Sequence, residues 1–159
     1  MPGRSDLIRI AIIALMGAAL AAPIGVLELT DGARGMTVPL GGPTFTYTYR
    51  QSIYQVPVRE ELRVIDGGIR IDRAASPDIR ALEYFRWPGS AVPDDGGLAW
   101  TAPDNATDHL QLLLTAEGEQ AIDTGLRRVT LRDAFGTDAS VRVRPGRAPL
   151  LVWLWSLRG

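Results

Sequence analysis

Few residues in this 159-residue chain are suited to acid–base or nucleophilic chemistry, and the absences narrow the field first. There is no cysteine, so thiol catalysis, disulfides and cysteine-ligated zinc or iron–sulfur centres are excluded. All 17 cationic residues are arginine, which removes Schiff-base and P-loop lysine chemistry. His109 is the single histidine, so a multi-histidine metal site cannot form. No cofactor is expected.

Ser52, His109 and an aspartate would be the members of a hydrolase triad. Ser52 sits in Arg50-Gln51-Ser52-Ile53, without the Gly-x-Ser-x-Gly elbow that strains and exposes a nucleophile. His109, next to Asp108, reads as a surface residue at the start of a strand. Glu60 and Glu61 are adjacent in a strand pattern, so their side chains point to opposite faces and cannot work as a carboxylate pair. Glu60 shares its face with Val58, Leu62 and Val64. A carboxylate on such a face needs a partner, and an arginine is expected. Its two readings are an internal pair and a ligand contact. Asp94-Asp95-Gly96-Gly97 lacks the spaced acids and closing Glu of a calcium loop and reads as a turn.

The elements that would position these groups have a period of two from Val26 onward. Val26–Leu29 reads as a strand, followed by a turn at Asp31-Gly32 and a strand over Met36–Leu40. In Phe45-Thr46-Tyr47-Thr48-Tyr49 the aromatics share one face and the threonines the other. Val56–Ile65 and Ile69–Arg73 flank Asp66-Gly67-Gly68, a hairpin signal because Asp-Gly tolerates tight-turn backbone angles. The outward faces of that hairpin carry Arg59, Glu61 and Arg63 on one strand and Arg70 and Asp72 on the other, the pattern of a solvated ladder.

Residues 87–108 are rich in Pro, Gly, Asp and Asn and read as a long loop with a short strand at Leu98–Trp100. His109–Thr115, Arg127–Leu131 and Ser140–Arg144 are further strands, with a helical turn over Arg132–Gly136. The expected fold is all-β: a small antiparallel β-sandwich or barrel preceded by an N-terminal apolar helix.

Arg4 and Arg9 precede an uncharged run from Ile10 to Leu27. A positive flank, an apolar centre and Ala19-Leu20-Ala21 form the three-part pattern of a secretory signal; 18 residues are also marginally enough for an uncleaved anchor. Residues 1–25 are therefore assigned to a signal peptide or anchor, and 26–147 to a β-rich domain exported by or anchored through residues 7–27. That places the domain in the periplasm or on the extracytoplasmic face of the inner membrane. Residues 148–159 form an apolar tail bearing Trp153 and Trp155. It is too short to span a bilayer as a helix, and reads as a last strand or as a membrane- or partner-contacting segment. The formal net charge is -1, so no basic field draws in nucleic acid.

One stretch carries a resemblance. Phe45-x-Tyr47-x-Tyr49-x-Gln51-Ser52-Ile53-x-x-x-Pro57-Val58-x-Glu60-x-Leu62 resembles the central motif of the domain-of-unknown-function family 1850. Those are small exported bacterial proteins, often linked to tripartite ATP-independent periplasmic (TRAP) transporters of the TAXI type. The likeness is good over 45–62 and looser over 26–145. Gln51 stands where the family usually has His; Gln still donates and accepts hydrogen bonds but does not titrate near neutral pH. The resemblance implies a non-catalytic binding or assembly accessory whose partner is a TRAP permease or solute-binding subunit. The surface around Gln51, Ser52, Tyr54 and Glu60 would carry it. A structural envelope protein, or a hydrolase using Ser52 or Glu60, is the alternative.

Overall fold

The computed structural model describes residues 12–13, 15–18, 20–66 and 68–151. It is mostly β, with two antiparallel sheets. The N-terminal apolar helix expected ahead of the β body falls largely outside the described residues and gains no support from them. Trp153 and Trp155 lie outside them as well.

The first sheet has four strands in the order β2-β1-β12-β9: β1 (Pro23–Thr30), β2 (Gly35–Pro39), β9 (Leu110–Leu113) and β12 (Ser140–Pro149). The second has the order β11-β10-β3-β4-β5-β7-β6. Its strands are β3 (Thr44–Arg50), β4 (Pro57–Ile65), β5 (Gly68–Ser76), β6 (Val92–Asp94), β7 (Gly97–Thr101), β10 (Ala121–Asp123) and β11 (Arg128–Thr130). A short β8 (Ala106–Thr107) adds to β5 beside Ile69 and Arg70, while β7 takes Arg73–Ser76 of the same edge. Two five-residue helices complete the body, α1 (Ile79–Glu83) and α2 (Leu131–Phe135).

The alternation read from the sequence becomes burial. Phe45 and Tyr47 on β3 and Val58, Glu60 and Leu62 on β4 point inward, while Arg59 is exposed and Glu61 half-buried. One hydrophobic core draws Leu27, Leu29, Val38, Val141 and Val143 from the first sheet and Phe45, Leu62, Ile69 and Ile122 from the second, with Leu131 and Phe135 of α2 closing it. Each such side chain contributes about 1.5–3 kcal/mol of transfer free energy.

On β5 the phase of burial changes. Ile69 is inward, but so are Ala74 and Ser76. The cause is a register shift: Glu61 pairs with Arg73 and Leu62 with Ile71, leaving Asp72 as the extra residue of a bulge. The outward charges then interlock. Arg63 and Arg70 both reach Asp72, at 2.8 and 3.0 Å, and Arg73 bridges Glu61 at 2.9 Å and Asp94 at 3.2 Å.

The segment 87–108 is not the long loop its composition suggests. Val92–Asp94 and Gly97–Thr101 pair as a tight hairpin around Asp95-Gly96, and Trp100 Nε1 donates to the Pro88 carbonyl at 3.0 Å. Gly97 packs against the end of β5 so closely that a Cβ there would lie 2.6 Å from the Ser76 carbonyl oxygen.

Candidate functional site

The chain Gln51–Glu60 leaves β3, turns and returns as β4, and the motif residues gather at that end of the second sheet. Gln51 is buried and holds the turn together. Its Oε1 accepts from the backbone N–H groups of Ile53 at 2.9 Å and Tyr54 at 2.8 Å. Its own N–H donates to Val56 O at 2.9 Å, and its carbonyl accepts from Gln55 N at 2.8 Å. Two backbone donors of the turn are served by this one side chain, which explains a buried amide here, while Gln55 Nε2 serves Ser52 O and Arg50 serves Gln55 O. Gln51 is thus a brace for the turn, and Ser52 and Ile53 are what the turn exposes; Ile53 is 63% exposed.

The next support comes from β5. Ser76 Oγ donates to Pro57 O at 2.9 Å and accepts from Asp78 N at 3.3 Å. Asp78 caps α1 by accepting from Arg80 N at 3.0 Å, and its carboxylate pairs with the Arg80 guanidinium at 2.5 Å. The Arg80 guanidinium in turn lies over the Tyr54 ring, 4.8 Å from its centre. The turn and α1 therefore stand side by side. Ile53 on the turn and Ile79 and Tyr84 on and after α1 are each exposed, Tyr84 by 66%.

Beneath this surface lies Glu60. It is 8% exposed, faces Tyr47 across β3 and Ala74 across β5, and forms no ion pair among the described residues. The expected arginine partner is therefore wrong. The nearby arginines Arg59 and Arg63 sit on the opposite face of the same strand, as period two requires, and serve Glu61, Asp94 and Asp72. Instead, Tyr47 and Tyr49 cover Glu60, their rings stacked at 5.0 Å. Burial pushes the Glu60 carboxyl up to about 7, and the Tyr49 hydroxyl works in the other direction. The Tyr49 hydroxyl is pushed upward by burial first and then by the Glu60 charge, with Tyr47 and Tyr84 adding to it. The Tyr47 hydroxyl is also raised by burial, opposed by Gln120.

Glu61, on the outer face, behaves in the opposite way: its hydrogen bonds to Arg73 hold its carboxyl below the usual range. The two neighbouring glutamates thus differ as strongly as their opposite faces imply.

Ser52 and His109 are not brought together. Ser52 follows the Arg50 end of β3, which pairs with Pro57 and lies beside Ser76. His109 follows Thr107, which pairs with Ile69 at the other end of β5. Seven residue steps of strand, roughly 23 Å, separate those ends. His109 Nδ1 instead contacts Asp108 at 2.7 Å on the surface. Among the described residues no three His, Asp or Glu side chains are grouped to hold a metal ion. No described helix is long and apolar enough to cross a membrane.

Sequence reasoning missed α1 and its tie to Tyr54. The Ser76-Pro77-Asp78 run preceding it is an N-cap signal that was available. No family model, curated protein or solved structure matches this chain.

Proposed function

We propose that this chain is a non-catalytic accessory domain that works outside the cytosol and binds a component of a TRAP-type solute transporter. The observation that carries the reading is the braced turn: Gln51 spends its side-chain acceptor on Ile53 N and Tyr54 N, and Arg80 clamps Tyr54 to α1. A rigid turn presenting an exposed Ile53 suits docking, because little ordering entropy remains to be lost on association. The motif resemblance over 45–62 supplies the class of partner, and the apolar leader with its Arg flank supplies the compartment.

The test is co-purification of the full chain, in mild detergent, with a TRAP permease and its solute-binding subunit. Retention that is lost in Ile53→Asp and Tyr84→Ala supports the reading. Absence of either subunit from the eluate of the unaltered chain removes it and leaves a structural envelope role. The leader's part is checked separately: full-length product in the cytosolic fraction would rule out export.

A hydrolase is the second reading, favoured by one observation: Glu60 is buried and its carboxyl titrates near neutral pH, as a general acid or base should. It loses ground because the Ser52–His109 arrangement does not form. Turnover on an ester or amide screen that vanishes in Glu60→Gln would revive it.

We read the two sheets as the faces of a sandwich rather than parts of a barrel, since a single core lies between them and no strand belongs to both. Slow-exchanging amides linking β2 or β9 to an edge strand of the second sheet would contradict this.

A further inference from the structure

The inward face of the β1–β12 ladder is apolar until its outer end. The two strands pair antiparallel from Thr30↔Arg142 to Pro23↔Pro149, with Leu29 opposite Val143, Leu27 opposite Pro145 and Gly25 opposite Arg147. Paired residues share a face, and successive residues alternate. Leu27, Leu29 and Val143 belong to the core, so Gly25 and Arg147 stand in the same phase, two residues further out. In keeping with this, a Cβ on Gly25 would lie 3.7 Å from Leu40 Cδ1, a side chain packed against the core. An arginine thus faces the mouth between the two sheets, where the period of two calls for a hydrophobe.

That mouth is hollow. A cleft of about 540 Å³ is lined by Pro23, Leu40, Pro43, Val64 and Arg147. Its size falls within the range of small-molecule sites, about 300–1,000 Å³. Gly25 and Gly42 on its walls carry no side chain to fill it. The walls are tied by backbone bonds: Leu40 N donates to Gly25 O at 3.0 Å, Val64 N to Pro43 O at 2.7 Å and Gly41 N to Thr124 O at 3.0 Å. Pro23 and Pro43 bring no N–H group. Arg147 is the one charged residue of this lining and forms no ion pair among the described residues. A second hollow of about 400 Å³ adjoins it across Val64, Gly146 and Arg147 and carries Asp66. Glu28 covers Gly146 on the opposite face of the ladder from Arg147.

We propose that this mouth binds an aliphatic monocarboxylate, its chain against Leu40, Pro43 and Val64 and its head on the Arg147 guanidinium. The planar guanidinium meets a carboxylate with two parallel N–H···O bonds. Apolar walls that exclude water strengthen those bonds. Burial of the chain supplies affinity, and the cation selects the sign of the head. Asp66 and the apolar walls do not share a hollow, whereas Arg147 belongs to both, so the cleft favours an anion over a cation. This inference rests neither on export nor on a transporter partner.

The experiment titrates octanoate into the full chain held in phosphatidylcholine nanodiscs and follows the heat, with empty nanodiscs as the blank. Saturable binding should weaken by about tenfold or more in Arg147→Gln, and by less in Arg147→Lys. Gly25→Leu places a side chain in the hollow and should abolish binding while the melting temperature holds. Gly42→Leu fills it from the other wall; a Cβ there meets nothing within 4 Å, so this variant serves if Gly25→Leu does not fold. Heat no greater than the blank overturns the proposal. So does octanoate binding that is unweakened in Arg147→Gln, and so does octylammonium bound as tightly as octanoate, which would give the site to Asp66.

Discussion

Glu60 lies directly across the β3–β4 ladder from Tyr47, on the inward face, and forms no ion pair among the described residues. Its carboxyl is raised to about 7 by burial, whereas the unfolded chain keeps the ordinary value of 4.5. The native state therefore holds a proton that the unfolded chain releases between those values. Stability is fully present below about pH 4.5 and falls as pH rises through 7, by on the order of 3 kcal/mol. Glu61, Asp78, Asp31 and Asp108 have lowered carboxyl pKa values and act with the opposite sign, at lower pH. Urea titrations from pH 5 to 8 should show the decline, and Glu60→Gln should flatten it. A wild-type profile that rises over this range would refute the assignment.

Gln51→Ala leaves the N–H groups of Ile53 and Tyr54 without their acceptor. The cost should be about 1–2 kcal/mol, seen as a lower urea midpoint with unchanged slope. Gln51→His, the residue usual in the resembled family, supplies one acceptor nitrogen and should fall between the two. Amide exchange at 53 and 54 would locate the loss.

Gly97→Ala should be among the most damaging small substitutions. Its Cβ would stand 2.6 Å from Ser76 O and 2.8 Å from Pro77 Cα, both backbone atoms that cannot swing aside. We expect a loss of about 2 kcal/mol or more. Gly96→Ala, with open space around it but φ of +85°, should cost about 1 kcal/mol. Equal melting temperatures for the two variants would count against the close approach.

Arg73 joins three strands through Glu61 and Asp94, yet it is about one-third exposed. Solvent screening keeps such pairs weak, so Arg73→Ala should cost less than about 1 kcal/mol. The difference should shrink in 0.5 M salt. Thermal melts at two ionic strengths would decide.

The parts of this fold that could be read in advance are those where side-chain period and burial coincide. Phe45, Tyr47 and Tyr49 announce β3, and Val58, Glu60 and Leu62 announce β4, because each alternation is long enough to exclude a helix. The bulge at Asp72 could not be read, since Arg70, Asp72 and Arg73 are all charged and hide the change of phase. The strand at Leu98–Trp100 was legible, but its pairing with β6 was concealed by Pro93 and Gly97, turn formers that occupy the two short strands on either side of the Asp95-Gly96 bend. α1 has five residues, too few to display a helical stripe. The site was half legible. Opposite faces for Glu60 and Glu61 followed from pleating alone, but the arginine expected because a buried carboxylate needs a partner is not there, since the arginines adjacent in sequence necessarily point the other way.

Because Pro23 and Pro149 are partners in one ladder, the β body has a seam at which its chain order is arbitrary. A short Gly-Ser linker could join Pro149 to Pro23, and new ends could be opened at the Asp95-Gly96 bend, without breaking a single strand pairing described above. The result would be a circularly permuted domain stripped of both greasy flanks, convenient for crystallisation and for grafting the Gln51 turn onto other carriers.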